Sequence, residues 1–378
     1  MNNDYKNDFG VKKKYQGEVI HVAISIHDPI GTYAKHAGAT IASIFANTSV
    51  SVCIHILHDE TLTQENRKKF EKLSENFNQE IRFHLVVLPE NILSYKYERV
   101  TQGALFRLLL PDILTEEKII YFDCDVIVDL DINILWGICI KGYPLAAVRD
   151  GGISYWDDQK KYLTKKNGMQ IEKYFNSGVL VLNLKYIREN HCLAKEAFDF
   201  LETHQERAFQ DQDALNFLFQ KKYLPLHEDF NSFAMVKGDK YESGKIWHWA
   251  WNKPWDRFIS MVDILYWKYL SLTSWSSDAF HLFSVLQYSN DAERKIIIFG
   301  AGSAGEKVCR NLPAQIEYFV DNGQAKWGDY LNGIPIRSPE CLLNEDIKSV
   351  IIIVASQYHS EISKQLLNMG FKKYVNFL

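Results

Sequence analysis

Two rhythms of apolar and polar residues alternate along the first part of the chain. EVIHVAISI (18–26), VSVCIHILHD (50–59) and QEIRFHLVVL (79–88) are short runs rich in β-branched residues and read as strands. YAKHAGATIASIFAN (33–47) and TQENRKKFEKLSENF (63–77) repeat their apolar positions at helical spacing. ALFRLLLPDIL (104–114) reads as a further helix that ends near Pro111, ahead of another apolar strand. Strand–helix–strand alternation predicts an α/β layer with a mostly parallel sheet. In such sheets ligands sit beyond the carboxyl ends of the strands.

The strand after Pro111 ends unusually. In KIIYFDCDVIVDLDINILW (118–136), Asp123 and Asp125 leave an apolar run with Cys124 between them. In extended backbone, residues i and i+2 point to the same side, so both carboxylates can aim at one point. Two oxygen ligands from one short segment suit a hard divalent cation such as Mg²⁺ or Mn²⁺, completed by phosphate oxygens. The plainer alternative is a solvated strand end. Asp129 and Asp131 read as turn and helix-entry residues with no chemistry.

Composition narrows the classes. A chain of 378 residues with 47% hydrophobic and 13% aromatic content has material for a sizeable core and for two domains. A net charge of −4 offers no basic excess for nucleic-acid phosphates. No apolar run approaches the roughly 20 residues that span a bilayer, and the polar N-terminus lacks a signal-peptide core. Six scattered cysteines have neither disulfide-framework nor zinc-finger spacing, so a cytoplasmic protein is expected. FISMVDILYWKYLSLTSW (258–275) could face lipid and give peripheral contact with the inner membrane face; core or interface packing is the stronger reading.

Three more stretches carry polar residues into apolar surroundings. YFNSGVLVLNL (174–184) places Asn176, Ser177 and Gly178 just ahead of a strand. FQDQDALNFLF (209–219) groups Asp211, Gln212 and Asp213 at the start of a helix, and IWHWAWNKPW (246–255) sets His248 and Lys253 among tryptophans. Together with the Asp123–Asp125 pair and the helix start at Tyr33, this set resembles the family-8 glycosyltransferases, which include bacterial lipopolysaccharide galactosyl- and glucosyltransferases and glycogenin. The resemblance covers about residues 18 to 275, with the motifs in the family's order.

That resemblance implies a GT-A domain, a mixed and mostly parallel α/β fold that takes a UDP-hexose donor. It implies a retaining hexosyltransferase that moves glucose or galactose to a glycan, lipid-linked or protein acceptor through an α-linkage. Asp123 and Asp125 resemble the family's DxD metal pair and His248 its third protein ligand, with an imidazole shifting preference from Mg²⁺ towards Mn²⁺. Lys253 matches the phosphate-binding lysine, although it stands five residues after His248, where the family has six with a glycine between. Arg107 and Cys124 match donor-contacting positions, and Asn176, Ser177 and Asp211 match positions that hold the donor sugar. Gln212 matches the residue below the anomeric carbon, with Asp213 its neighbour. An amide there favours front-face attack, in which a leaving phosphate oxygen takes the acceptor's proton; a double displacement through Asp213 is the alternative. Tyr33 matches the ring that stacks on uracil, and Asp28 is a candidate base contact in a turn longer by about three residues than the family's.

The chain therefore divides into a polar extension (1–17), a GT-A domain (18–289) and a small Rossmann-like α/β domain (290–378). In the tail, RKIIIFGAGSAGEKVCRNL (294–312) runs a strand into Gly300, Gly302 and Gly305 and then a helix, and IEYFVDN (316–322) ends near Asp321. These residues form a possible second nucleotide site, similar to small nucleotide-sugar-binding modules, or else serve packing and oligomerisation. The alternative function is a nucleotide-sugar- or NAD-binding protein acting through this tail.

Overall fold

The computed structural model describes residues 19–93, 101–155, 157–204, 209–238, 241–256, 260, 262–275, 295–311, 316–347, 349–356 and 358–371. The extension at 1–17 and the boundary expected at 289–290 lie outside the described residues.

A seven-stranded sheet carries the larger part of the fold. Its strands are β1 (Ile20–Ile26), β2 (Val52–His58), β3 (Glu80–Leu85), β4 (Ile119–Phe122), β6 (Leu145–Arg149), β7 (Phe175–Leu182) and β8 (Leu224–Pro225). The order is β3-β2-β1-β4-β7-β6-β8, parallel from β3 to β4 and antiparallel at β7. This is the mixed, mostly parallel α/β fold of the GT-A type.

Both faces of the sheet are covered. Val22, Ile24 and Ile26 of β1 pack with Ala37, Ile41 and Ile44 of helix α1 (Ala34–Asn47), while Ala23 packs on the opposite side with Leu105 and Leu108. The period-2 alternation of strand side chains thus feeds two separate cores. Helix α2 (Gln64–Phe77) is capped by Thr63, whose hydroxyl accepts from the Asn66 N–H, and ends at Asn78 with φ 50°. The helix Asp263–Leu270 buries Tyr266, Trp267, Tyr269 and Leu270, so that part of the aromatic segment is core and not a lipid face. No helix among the described residues is long and apolar enough to cross a membrane.

Three local expectations change. Gln102–Leu109 is a 3₁₀ helix, and Pro111 lies in the first turn of the short α-helix Leu110–Ile113, where the missing proline N–H costs nothing. The Asp123–Asp125 segment is a turn between β4 and β5 (Val126–Val128), not continuous strand. Asn176 and Gly178 sit inside β7 and do not precede it.

β5 belongs to a small sheet with β10 (Ile246–His248) and β9 (Ser232–Phe233), in the order β5-β10-β9. The tail forms a third sheet from β11 (Lys295–Phe299), β12 (Ile316–Val320), β13 (Tyr330–Leu331), β14 (Ile334–Arg337) and β15 (Val350–Val354), ordered β13-β14-β12-β11-β15 and parallel except at β13.

Candidate active site

Strand register assembles the site. The end of β4 pairs antiparallel with β7, Phe122 opposite Val179, so Asn176, Ser177 and Gly178 lie beside the turn that follows β4. β10 pairs antiparallel with β5, His248 opposite Val126, which brings the imidazole beside Asp125. The turn is pinned by backbone bonds: Asp123 N–H donates to Gly178 O (2.9 Å), and Trp249 N–H donates to Asp125 O (3.0 Å). Cys124 points inward, its thiol donating to Ser25 O at 3.1 Å while its carbonyl accepts from the Thr40 hydroxyl at 3.0 Å. A cavity of about 370 Å³ opens over this turn.

At the floor of that cavity, ligand atoms of Asp123, Asp125 and His248 all lie within 4.8 Å of one another. Asp125 Oδ1 is buried with no hydrogen-bond partner among the described residues, and His248 Nε2 stands 3.3 Å from it. The tautomer of His248 follows from a chain of bonds. Gly178 N–H donates to Asn176 Oδ1 (2.9 Å), which also accepts from Asn231 Nδ2 (2.8 Å), so Asn231 Oδ1 faces His248 Nδ1 at 2.8 Å. An amide oxygen only accepts, so Nδ1 carries the proton and Nε2 presents a lone pair towards the orphaned carboxylate oxygen. Two buried electron-rich atoms at this separation are the arrangement a cation would satisfy, and an O, O, N donor set fits Mn²⁺ or Mg²⁺. Burial pushes the Asp125 carboxyl up, but the Lys253 ammonium outweighs it and holds it well below the usual carboxylate range. Lys253 Nζ donates to Asp125 Oδ2 and, at 2.6 Å, to Trp249 O.

Gly178 is what allows the cluster to close. A Cβ there would stand 2.4 Å from His248 Cε1 and 2.8 Å from Asp123 Oδ2, so only glycine lets β7 come this near.

Arg107 is buried behind the carboxylates and not exposed on a helix surface. Its guanidinium donates to Asp123 Oδ1 (2.6 Å), Ser177 O (2.6 Å) and Ala104 O (2.9 Å), and its Nε lies 3.2 Å from Asp211 Oδ2. Burial alone would lower its pKa; Asp123 and Asp211 reverse this and keep it charged. Burial raises the Asp211 carboxyl, Arg107 opposes that rise, and the Ser177 hydroxyl donates to Asp211 Oδ2 at 3.1 Å.

Gln212 and Asp213 separate sharply. The Gln212 side chain lines the cavity, its oxygen accepting from Ser177 N–H (2.9 Å) and its amide donating to Asp150 Oδ2 (2.9 Å). Asp213 does not line it: its carboxylate accepts from the Tyr174 hydroxyl and, at 3.2 Å, from Phe209 N–H, behind the helix Gln210–Phe219. Tyr33 lines the cavity, edge-on to Trp255 with ring centroids 6.4 Å apart. Asp28 does not. Its carboxylate accepts from Tyr33 N–H (2.7 Å), Ala34 N–H (3.0 Å) and Asn66 Nδ2 (3.2 Å), so its oxygens are spent on the start of α1.

Two participants were missed in the sequence. Asp150 accepts from Asn176 Nδ2 (3.1 Å) and Gln212 Nε2 (2.9 Å) with one oxygen, and from Gly152 N–H (2.7 Å) and Ile153 N–H (3.1 Å) with the other. Its signal was available, because LAAVRD repeats the pattern of a buried strand that ends in a carboxylate. Asn231 offers no such pattern.

In the tail, Gly300, Gly302 and Asp321 border a cavity of about 770 Å³. Gly305 does not; a Cβ there would lie 1.8 Å from Gly300 O, so this glycine serves helix-on-strand packing. Asp321 is engaged by Ala301 N–H, Gly323 N–H and Lys326 Nζ, each at 2.8 Å.

Comparison with known proteins finds matches to both parts of the chain. Residues 292–375 match the family model described as C2185-like, N-terminal. General stress protein A of Bacillus subtilis is 27% identical over 69% of this chain and 96% of its own length. Glycosyltransferase GlyA of Streptococcus pneumoniae is 28% identical over 65% of this chain, but the match spans 34% of GlyA. Among solved structures, the galactosyltransferase LgtC in complex with donor and acceptor sugar analogs superposes with a TM-score of 0.58 at 22% identity, over 68% of this chain and 96% of LgtC. Residues 9–258 match the model described as glycosyl transferase family 8, and the chain belongs to that family of glycosyltransferases.

Proposed function

We propose that this enzyme is a retaining hexosyltransferase that moves glucose or galactose from a UDP-hexose to a glycan, lipid-linked or protein acceptor, forming an α-linkage in a reaction dependent on Mn²⁺ or Mg²⁺. The observation that carries this reading is the buried Asp125 Oδ1, without a hydrogen-bond partner among the described residues, facing the lone pair of His248 beside Asp123. Asp123, Asp125 and His248 would hold the ion. When bound, it supplies Lewis-acid stabilisation of the charge that develops on the diphosphate leaving group.

The chain's own residues supply the rest. Lys253 and Arg107 set two cations beside the same turn, suited to the donor's phosphates. Asp150, Asn176 and Asp211 present polar atoms on one wall, where sugar hydroxyls would bind, and Tyr33 offers a ring for the base. The location of Gln212 supports front-face attack. Its amide is locked between Ser177 N–H and Asp150, whereas Asp213 is turned away onto Tyr174 and Phe209. The acceptor hydroxyl then attacks on the side UDP leaves and gives its proton to a leaving phosphate oxygen. Peripheral membrane contact would follow from a lipid-linked acceptor, and self-association would fall to the tail module.

The test is UDP release from a panel of UDP-sugars, with NMR of the product linkage. Turnover of UDP-Glc or UDP-Gal with an α-configured product is expected. A β-configured product, or no turnover with any UDP-sugar, contradicts the proposal.

A further inference from the structure

We propose that the amino-terminal end of the large sheet holds a second metal site, for a borderline-soft divalent ion of the Zn²⁺ type, built from His21, Cys53 and His55 with Glu116 as the fourth ligand. It is separate from the catalytic turn. Those residues lie at the carboxyl ends of β1 and β4, whereas His21 lies six residues before His27, about 20 Å down β1 at ~3.3 Å per residue.

The alternation of the strands creates the cluster. On β1, β2 and β3 the even-numbered β1 and β2 residues and the odd-numbered β3 residues face one core: Val22, Ile24, Ile54, Ile56, Ile81 and Phe83. The opposite face is apolar further along, at Ala23 and Leu57, but at its amino-terminal end it carries His21, Cys53 and His55. Parallel register sets His21 opposite Cys53 and Ala23 opposite His55, so the three side chains crowd one spot. Their donor atoms lie within 4.8 Å of one another.

Second and third features give this spot the form of a coordination site. His21 Nδ1 and His55 Nε2 face each other at 3.0 Å, and Glu116 Oε1 stands 3.7 Å from each of them. Glu116 comes from the loop ahead of β4, so the ligands arise from three separate segments. His55 Nδ1 bonds to His84 Nε2 at 3.0 Å, an outer contact that fixes the ring and leaves Nε2 for the centre. Cys53 and His55 are fully buried, while the side chains of His21 and Glu116 are 23% and 14% exposed, which provides an entry path. Two imidazoles, one thiolate and one carboxylate form the donor set of a tetrahedral zinc-type site, not of Mg²⁺ or Ca²⁺. Arg82, whose Nη1 is 3.7 Å from Glu116, and Glu80, bonded to Arg82 at 2.8 Å, complete the charges around it. Binding would displace the Cys53 proton and those shared between the rings, and would staple β1 and β2 to the start of β4.

The test is cobalt titration of the full-length chain, stripped with chelator and kept reduced. Co²⁺ bound by a thiolate shows charge-transfer absorption in the near ultraviolet, which the thiolate-free Asp123, Asp125 and His248 set does not produce. We expect one such equivalent per chain, bleached by Zn²⁺ and absent from Cys53→Ser. Because Cys53 is buried, His21→Ala and Glu116→Gln serve as surface-reaching variants; each should weaken cobalt affinity at least about tenfold. The proposal is overturned if the wild type shows no thiolate band. It is equally overturned if the band survives in folded Cys53→Ser, or if His21→Ala and Glu116→Gln bind cobalt as the wild type does.

Discussion

Gly178 and Gly302 each leave out a side chain beside a cavity, but for opposite reasons. At Gly178 the missing Cβ is replaced by the chain itself, with His248 and Asp123 filling the space at 2.4 and 2.8 Å. At Gly302, apart from its chain neighbours, no described residue comes within 4 Å of that position. The first region is a closed network in which nearly every polar atom is committed and one carboxylate oxygen is conspicuously not. The second is an open loop whose Asp321 is tied to neighbouring backbone and Lys326. A preorganised site holds its charges before the ligand arrives, and that is what electrostatic catalysis needs. The proposed function accordingly assigns its chemistry to the region around Gly178.

Substitution at the two glycines should break the comparison first. Gly178→Ala forces His248 and Asp123 apart, and we expect at least a ~100-fold loss of UDP-sugar turnover with the fold retained by circular dichroism. Gly302→Ala should leave turnover within about twofold, since its Cβ meets nothing. Comparable losses from both would erase the distinction.

Asn231 sharpens it further. Asn231→Ala removes the acceptor that holds the His248 Nδ1 proton, and the expected result is a ~10- to 100-fold loss of Mn²⁺ affinity, read by titration of the protein with the ion alone. Unchanged affinity would mean that the imidazole is held by something else.

A smaller effect is expected at Asp213. Because its carboxylate is turned onto Tyr174 and Phe209, Asp213→Asn should lower turnover by no more than about tenfold, through lost positioning. Complete loss in Asp213→Asn, together with a glycosyl ester captured on Asp213 in the wild type, would restore the double displacement.

The smallest effect concerns stability. Burial holds the His36 imidazole well below its ordinary value of 6.5, so it stays neutral when folded, against Trp255 and 2.6 Å from the Tyr266 hydroxyl. Unfolding lets it take up a proton, so stability declines as pH falls below 6.5. Denaturation midpoints between pH 7 and 5 should fall for the wild type and fall less steeply for His36→Gln.

Much of this site was legible before the fold. Asp123, Asp125, Asn176, Asp211, Gln212 and His248 each interrupt apolar sequence, and uncompensated polar groups are costly there. Arg107 was visible for the same reason. What sequence did not reveal depends on register. Asn231 enters the site only because β9 lies beside β10, and Asp28 left it because helix α1 needed its oxygens. The extended geometry expected for Asp123 and Asp125 gave way to a turn, since the chain changes sheets between β4 and β5 at that point. The His21, Cys53 and His55 cluster was hidden similarly: alternation marks one face of each strand, but only the pairing of β1 with β2 joins them.

The most direct measurement is UDP release from UDP-Glc and UDP-Gal, with Mn²⁺ and with chelator, by the wild type and by Asp125→Asn. Turnover that requires the ion and falls by about a hundredfold or more in Asp125→Asn is the expected result. Turnover unaffected by chelator, or an Asp125→Asn enzyme as active as the wild type, would contradict the assignment of the orphaned carboxylate to a metal-held diphosphate.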